Sequence, residues 1–331
     1  MLKDFVQLRL TGQAAGEQST RAFTYLFDLR SADYWSEMLD FCGVRLDQLP
    51  ELVRPGSELG PVLPTVATAL PPAASWRVNV GALDHFSSRV GTDSYRTGIV
   101  SESAGTILSL SILLDGWAFD PTVRASYHCG VRSDDIVLFD CCDSGAICLD
   151  WFATAVRSGV PLSELEASVA ARPPGRGAPL FLPQITGVNP PDFQPNARGA
   201  FVDLTLGTDG MDPAYAVMEG VAHLLRSNVE YCGRAVGPIT KMVSTGGGTA
   251  SSFWTQLKAD VCDVCITVPQ EREAPCRGAA VGGLVSAGLL GDLSEAAHLA
   301  PLHSASFPPQ HTCEHDQRYA RYRIALHDLY G

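Results

Sequence analysis

Asp84 stands in Gly81-Ala82-Leu83-Asp84-His85-Phe86, a single carboxylate among mostly apolar neighbours. Such a setting suits general-base work, because burial and neighbours tune a carboxylate toward its task. An aspartate at a helix start also serves as a cap, so both roles are open at this position. Thr245-Gly246-Gly247-Gly248-Thr249 places three residues without Cβ in a row. Backbone amides and a following helix N-terminus can then approach a phosphate or an adenine ring. The run lacks the Gly-Lys-Ser/Thr of a P-loop, and a simple turn accounts for it as well. Ser103-Ala104-Gly105-Thr106 supplies a second tight turn with free amides, and Asp143-Ser144-Gly145-Ala146 puts small residues at another helix start.

Other polar groupings carry less. Cys262-x-x-Cys265 has the spacing of a redox or half-zinc pair but no second pair, and it falls at a helix-to-strand transition. His311-x-Cys313-x-His315 reads as a solvated loop before the last helix, and His85 and His128 as surface or satisfied histidines. The ten cysteines follow no regular framework and sit mostly among apolar residues, which points to reduced, buried thiols.

These residues need elements to hold them. Arg77 to Gly81 alternates like a short strand and delivers Asp84 to the helix or loop that follows. Gly98–Ser101 and Ile107–Leu113 read as two strands joined through the Gly105 turn. Leu149, Trp151, Phe152 and Val156 trace a helix after Gly145. Asp212-Pro213 has the form of an N-cap with proline at the first helical position, followed by one apolar face through Val217, Val221, Leu225 and Val229 that packs on a sheet. Pro238–Ser244, the glycine run and Ala250–Asp260 give strand, turn and helix, and Gly278–Ala287 and the Tyr319–Leu329 region give two further helices. Ser31 or Asp33 caps an amphipathic helix carrying Trp35, Met38, Leu39 and Cys42. Five prolines between 54 and 75 make a connecting region, regular only around Val66 to Leu70.

Composition narrows the function. The chain has 331 residues, a size for about two domains, with 46% apolar residues and a net charge of −12. No basic block could neutralise a run of phosphates, so nucleic-acid binding and anionic membrane surfaces are excluded as expectations. No window of roughly 18 to 20 apolar residues suggests a membrane span, and the start has no signal-peptide core, so the expectation is a cytoplasmic protein.

Several segments, taken together and in order, resemble the FGGY carbohydrate kinase family, with xylulokinase-type enzymes the nearest branch. They are Lys3-Asp4-Phe5 through Leu10-Thr11-Gly12, Gly81 to Asp84, Ser103 to Thr106, Leu182 to Gly187, Ala197 to Phe201, Met218 to Ala222, Thr245 to Gly248 with Trp254 to Asp260, and Gly278-Ala279-Ala280. The resemblance implies an α/β, ribonuclease-H-like fold of the actin and hexokinase type. Residues 1–96 would be the later part of the sugar-binding domain and 97–331 the nucleotide-binding domain. It also implies ATP and Mg2+ as cofactors, a sugar or polyol as acceptor, and a homodimer. Asp84 would take the proton from the attacking hydroxyl, with His85 beside it against the substrate. Gly105 and Thr106 would contact phosphates, Gly145 and Ala146 would approach the nucleotide, and Gly246, Gly247 and Gly248 would hold the adenosine part, with Thr249 to Ser252 flanking the base.

The sequence departs from that family in three places. The Asp-x-Gly-Thr hairpin that opens family members is not found, so the early part of the first domain is expected to be missing. Gly187-Val188-Asn189 stands where the family has Gly-Glu-Arg, and Ala104 replaces a frequent hydroxyl residue. Two functions of different classes follow as expectations: an ATP-dependent carbohydrate kinase, or a catalytically inactive nucleotide-binding remnant that serves as a regulatory or assembly partner.

Overall fold

The computed structural model describes residues 1–73, 75–117, 119–120, 126–142, 144–171, 178–187, 195–271, 273–299 and 304–330. Its centre is a seven-stranded mixed sheet. The strands are β1 (Val100–Ala104), β2 (Leu108–Leu113), β3 (Ser126–Cys129), β4 (Ile136–Cys142), β5 (Lys241–Thr245), β6 (Cys265–Pro269) and β7 (Ser304–Phe307). They lie in the order β7-β6-β5-β1-β2-β4-β3. The β5 strand runs parallel to both β1 and β6, and the remaining pairs are antiparallel. Parallel neighbours need crossovers, and helices supply them.

Six helices frame the site: α1 (Leu2–Thr11), α2 (Asp84–Gly91), α3 (Asp212–Val236), α4 (Ser252–Cys262), α5 (Ala274–Ser286) and α6 (Cys313–Tyr330). The apolar stripe of α3 does pack on the sheet. Leu225, Val229 and Cys232 meet Val100, Leu108, Leu110 and Ile112, while Val217, Met218 and Val221 meet Trp254, Leu257 and Val261 of α4. Fully buried side chains of this kind contribute about 1.5–3 kcal/mol each. The helix after Gly145 begins as α-helix at Ile147–Trp151 and loosens to a π-turn over Phe152–Val156.

Local chemistry shifts three expected elements. Asp212 is the first residue of α3 rather than its cap: Met211 holds the cap position, and the Asp212 carboxylate accepts from the Asp209 amide at 2.9 Å. The short helix near Trp35 spans Ser36–Cys42, is preceded by Trp35 itself, and buries only Leu39, since Asp33 is drawn into a two-stranded ladder with Phe27–Asp28. In the proline-rich region Glu58–Pro61 pairs with Arg77–Asn79, and a helical turn occupies Pro64–Ala67. A two-stranded ladder leaves one edge of each strand unpaired, so proline's missing N–H is tolerated there.

Glycine fixes the seating of α2. A Cβ on Gly278 would lie 1.8 Å from the Ser87 carbonyl oxygen, and one on Gly91 would lie 2.1 Å from that of Ala274. The α2 and α5 backbones therefore touch, and this contact aims the start of α2, with Asp84, at the ends of β1 and β5. Among the described residues no helix is long and apolar enough to cross a membrane.

Candidate active site

Because β5 runs parallel to β1, with Thr245 opposite Ser103, the turns that follow both strands emerge at the same end of the sheet. They also pack on one another. A Cβ on Gly246 or on Gly248 would sit 2.9 Å from the Ala104 carbonyl oxygen. Gly246 moreover has φ of +94°, which other residues rarely adopt. Gly247 faces open space. The turn is closed by Thr249, whose hydroxyl donates to the Gly246 carbonyl at 2.7 Å. Ser252 is exposed at the first position of α4, and the cap is Ser251, which accepts from the Trp254 amide at 3.1 Å.

The Gly105 and Gly145 segments are likewise brought together. Gly105 donates to the Ile107 carbonyl at 3.1 Å, and its own carbonyl accepts from the Ala146 amide at 3.0 Å. The Thr106 carbonyl accepts from Ile147 at 3.2 Å. The Gly105 and Ala146 amides are thus satisfied by protein carbonyls, and for Gly105 this runs contrary to the expectation of free amides in the Ser103–Thr106 turn. Gly145 is needed for this close approach, since its Cβ would meet the Ile107 carbonyl carbon at 2.7 Å. Asp143 and the Val188-Asn189 pair lie outside the described residues.

A cleft of about 200 Å³ opens beside these turns, lined by Asp84, His85 and Ser88 on one side and by Thr245 and Gly246 on the other. Asp84 is exposed at its rim. The apolar surroundings expected from its neighbours are not realised, because Phe86 turns fully into the core. Nor is it the helix cap: Leu83 occupies that position, and among the described residues the Asp84 carboxylate accepts only from the His85 amide, at 2.8 Å. His85 is half-buried, with its ring centroid 4.9 Å from that of Phe139 and Nδ1 3.4 Å from the Ser109 hydroxyl. Burial lowers its pKa, so the ring is neutral near pH 7.

Sequence reasoning missed the cleft floor, formed by Ser101, Ser103, Ser109 and Ser111. It also missed a buried ion pair between Glu102 and Lys258 at 2.6 Å, with Ser244 donating to the same carboxylate. The two Ser-x-Ser repeats were the available signal for the floor; the ion pair, 156 residues apart in sequence, left none.

The remaining polar groupings serve the fold. His311 bonds the Asp260 carbonyl at 2.7 Å and Asp316 at 3.1 Å, and His315 accepts from the Thr312 amide. None of the ten cysteines forms a disulfide, but Cys42, Cys276 and Cys313 are exposed, so the expectation of burial fails for these three. Cys262 contacts the Ala222 carbonyl, and among the described residues no cluster could hold a metal through three or more His, Cys, Asp or Glu side chains. His128 is neither on the surface nor satisfied. It is buried, stacked on Phe23 at 3.9 Å, and neither ring nitrogen has a partner among the described residues.

Residues 1–91 match the N-terminal domain of the FGGY family of carbohydrate kinases, and residues 115–287 match its C-terminal domain. The chain is 30% identical over 329 residues to the xylulose kinase of Escherichia coli (strain K12), covering 97% of this chain and 65% of that protein. It is 26% identical over 298 residues to the gluconokinase of Bacillus subtilis (strain 168), covering 87% of this chain and 58% of that one. Among solved structures, the xylulose kinase of Lactobacillus acidophilus superposes with a TM-score of 0.90 at 22% identity, covering 99% of this chain and 67% of that one. The fold is that of the ribonuclease-H-like, actin and hexokinase class. Within that class the chain belongs to the FGGY family of carbohydrate kinases. It spans about two thirds or less of the length of the relatives it matches.

Proposed function

We propose that this chain carries out ATP-dependent phosphorylation of a sugar or polyol hydroxyl, with residues 1–96 contributing the acceptor side and 97–331 the nucleotide side. One observation carries the reading: Asp84 and the Thr245–Gly246 turn line the same cleft. Phosphoryl transfer asks mostly for alignment and charge stabilisation. Asp84 takes the proton of the attacking hydroxyl, a role worth ~10²- to 10⁴-fold. It is suited to this by its exposure and by having an oxygen that no cation engages among the described residues. His85 flanks the acceptor. The Gly105–Thr106 and Gly145–Ala146 segments and the Gly246–Thr249 turn with Ser252 approach the nucleotide. Glu273 places a second carboxylate on the cleft, which suits magnesium held by one carboxylate plus substrate phosphates while Asp84 stays available as the base. When bound, the ion offsets charge on the transferring group.

The test is calorimetric titration with MgATP, followed by a phosphorylation assay over sugars and polyols. ATP binding and transfer are expected in the unmutated chain. Asp84→Asn should keep nucleotide affinity and lose about 10²-fold or more in turnover. Unchanged turnover in that variant removes Asp84 from the mechanism. Binding without transfer to any acceptor identifies a nucleotide-binding partner instead.

A further inference from the structure

The β1–β2 hairpin has two faces of different chemistry. Val100, Leu108, Leu110 and Ile112 enter the core beneath α3. On the opposite face Ser101 lies across from Ser111, and Ser103 across from Ser109. A buried strand face ordinarily carries apolar residues. Here Ser101, Ser109 and Ser111 are only 6%, 2% and 4% exposed, and with Ser103 they form the floor between Asp84 and Gly246. The Ser101 and Ser103 hydroxyls have no partner among the described residues, although Ser101 is more than nine-tenths buried and lines the cleft.

Behind the floor lies Arg89, which is fully buried. Its guanidinium donates to the carbonyls of Ser111, Ser94 at 2.7 Å, Ile99 at 3.1 Å and Arg96 at 3.3 Å, and Nε has no partner. Burial lowers its pKa to about 10, which leaves it charged at neutral pH. Among the described residues no carboxylate bonds it. A buried cation without a directly paired anion projects its field through a low-dielectric interior, and the serine floor lies between it and the cleft. Ser111 Oγ accepts from Arg89 Nη1 at 3.4 Å, which leaves its own O–H free to point outward.

We propose that Ser101, Ser103, Ser109 and Ser111, backed by Arg89, form an oxyanion floor for the terminal phosphoryl group of a nucleoside triphosphate. The site rests on the phosphoryl-transfer reading above and extends it. Hydroxyl donors already standing where charge develops stabilise it with little reorganisation. Asp84 and Glu273 at the rim repel a bare anion, so the floor suits a phosphate whose charge is already shared with magnesium. ADP lacks the group that reaches the floor, and the serines therefore act on ATP alone.

Calorimetry of the full chain with MgATP and with MgADP, before and after Ser101→Ala/Ser103→Ala substitution, separates the possibilities. Each hydroxyl donating to a charged phosphate should account for about tenfold in affinity. The double variant should therefore lose about a hundredfold for ATP while ADP affinity and the thermal midpoint stay put. Ser103→Ala alone, at a half-buried position, should show the same ATP-only loss at about tenfold, and serves if the double variant does not fold. Equal losses for both nucleotides, or none, overturn the floor but leave nucleotide binding intact. An unmutated chain that binds neither nucleotide overturns the phosphoryl-transfer reading and the floor with it.

Discussion

Gly246 and Gly247 are adjacent and have opposite tolerances. Gly246 needs its positive φ and its approach to the Ala104 carbonyl, whereas a side chain on Gly247 enters open space. Gly246→Ala is therefore expected to destabilise the fold by about 1–3 kcal/mol, the usual scale for backbone strain. Gly247→Asp should leave the melting temperature within about 2 °C and weaken ATP about tenfold or more, because it adds a negative charge where phosphates approach. Thermal melts and ATP titrations on the two variants read these effects separately. A Gly247→Asp chain with unaltered ATP affinity would place the nucleotide elsewhere. The sequence makes the glycine run visible as a unit, but only the neighbouring strand reveals which glycine is structural. The same holds for Asp84: its position at a helix start is legible from Arg77 to Phe86, while its exposure depends on Phe86 and Leu83 turning away from it.

At the scale of elements, β1, β5 and α4 are tied together by Glu102, Ser244 and Lys258. Ser244 lies directly across from Glu102, and the Lys258 ammonium reaches the same carboxylate while standing 5.2 Å from the Trp254 ring centroid. Glu102 is wholly buried and Lys258 only 4% exposed. Removing one member of such a pair strands a buried charge and costs about 3–5 kcal/mol, whereas replacing both with apolar residues of similar size is often neutral or stabilising. Lys258→Met should accordingly lose several kcal/mol in chemical denaturation, and Glu102→Leu/Lys258→Met should recover most of it. If the double variant is as unstable as the single one, the pair contributes more than mutual neutralisation. Strand-turn-helix order around the glycine run was readable from apolar periodicity, and so was the sheet-facing stripe of α3. The ion pair was not, because nothing local marks a lysine on one helix as the partner of a glutamate on a strand far away in sequence. Helix starts were displaced for a related reason: Asp212 and Asp33 have the chemistry of caps, but neighbouring backbone groups claimed them.

For the molecule as a whole, the order of strands and helices and the placement of the glycine turns were legible, since they rest on local patterns repeated along most of the chain. The floor of the cleft and the state of the buried histidines depend on packing between distant segments. That packing has a consequence for acid stability. His128 and His223 are buried with at least one ring nitrogen each that has no partner among the described residues, and burial depresses the pKa of each from 6.5 to about 4. An unfolded chain takes up protons on these rings as pH falls below about 6.5, while the folded chain does so only near 4. The stability they confer is therefore complete above pH 6.5 and is lost as pH falls toward 4, on the order of 3 kcal/mol for each ring. Asp28 and Asp316, whose pKa values are lowered from 3.8 by hydrogen bonds led by the Arg30 amide and the Arg226 side chain respectively, act at lower pH and do not overlap this window. Melting temperatures should thus be flat above about pH 7 and decline steadily from pH 6.5 to 4. His85 and His315, whose pKa values burial also lowers, add to the same decline, so His128→Phe, which preserves the stacking ring against Phe23 while removing one titrating group, should flatten part of that slope. An unchanged slope in this variant would mean that His128 takes its proton without unfolding, through a rotation that brings a ring nitrogen to water.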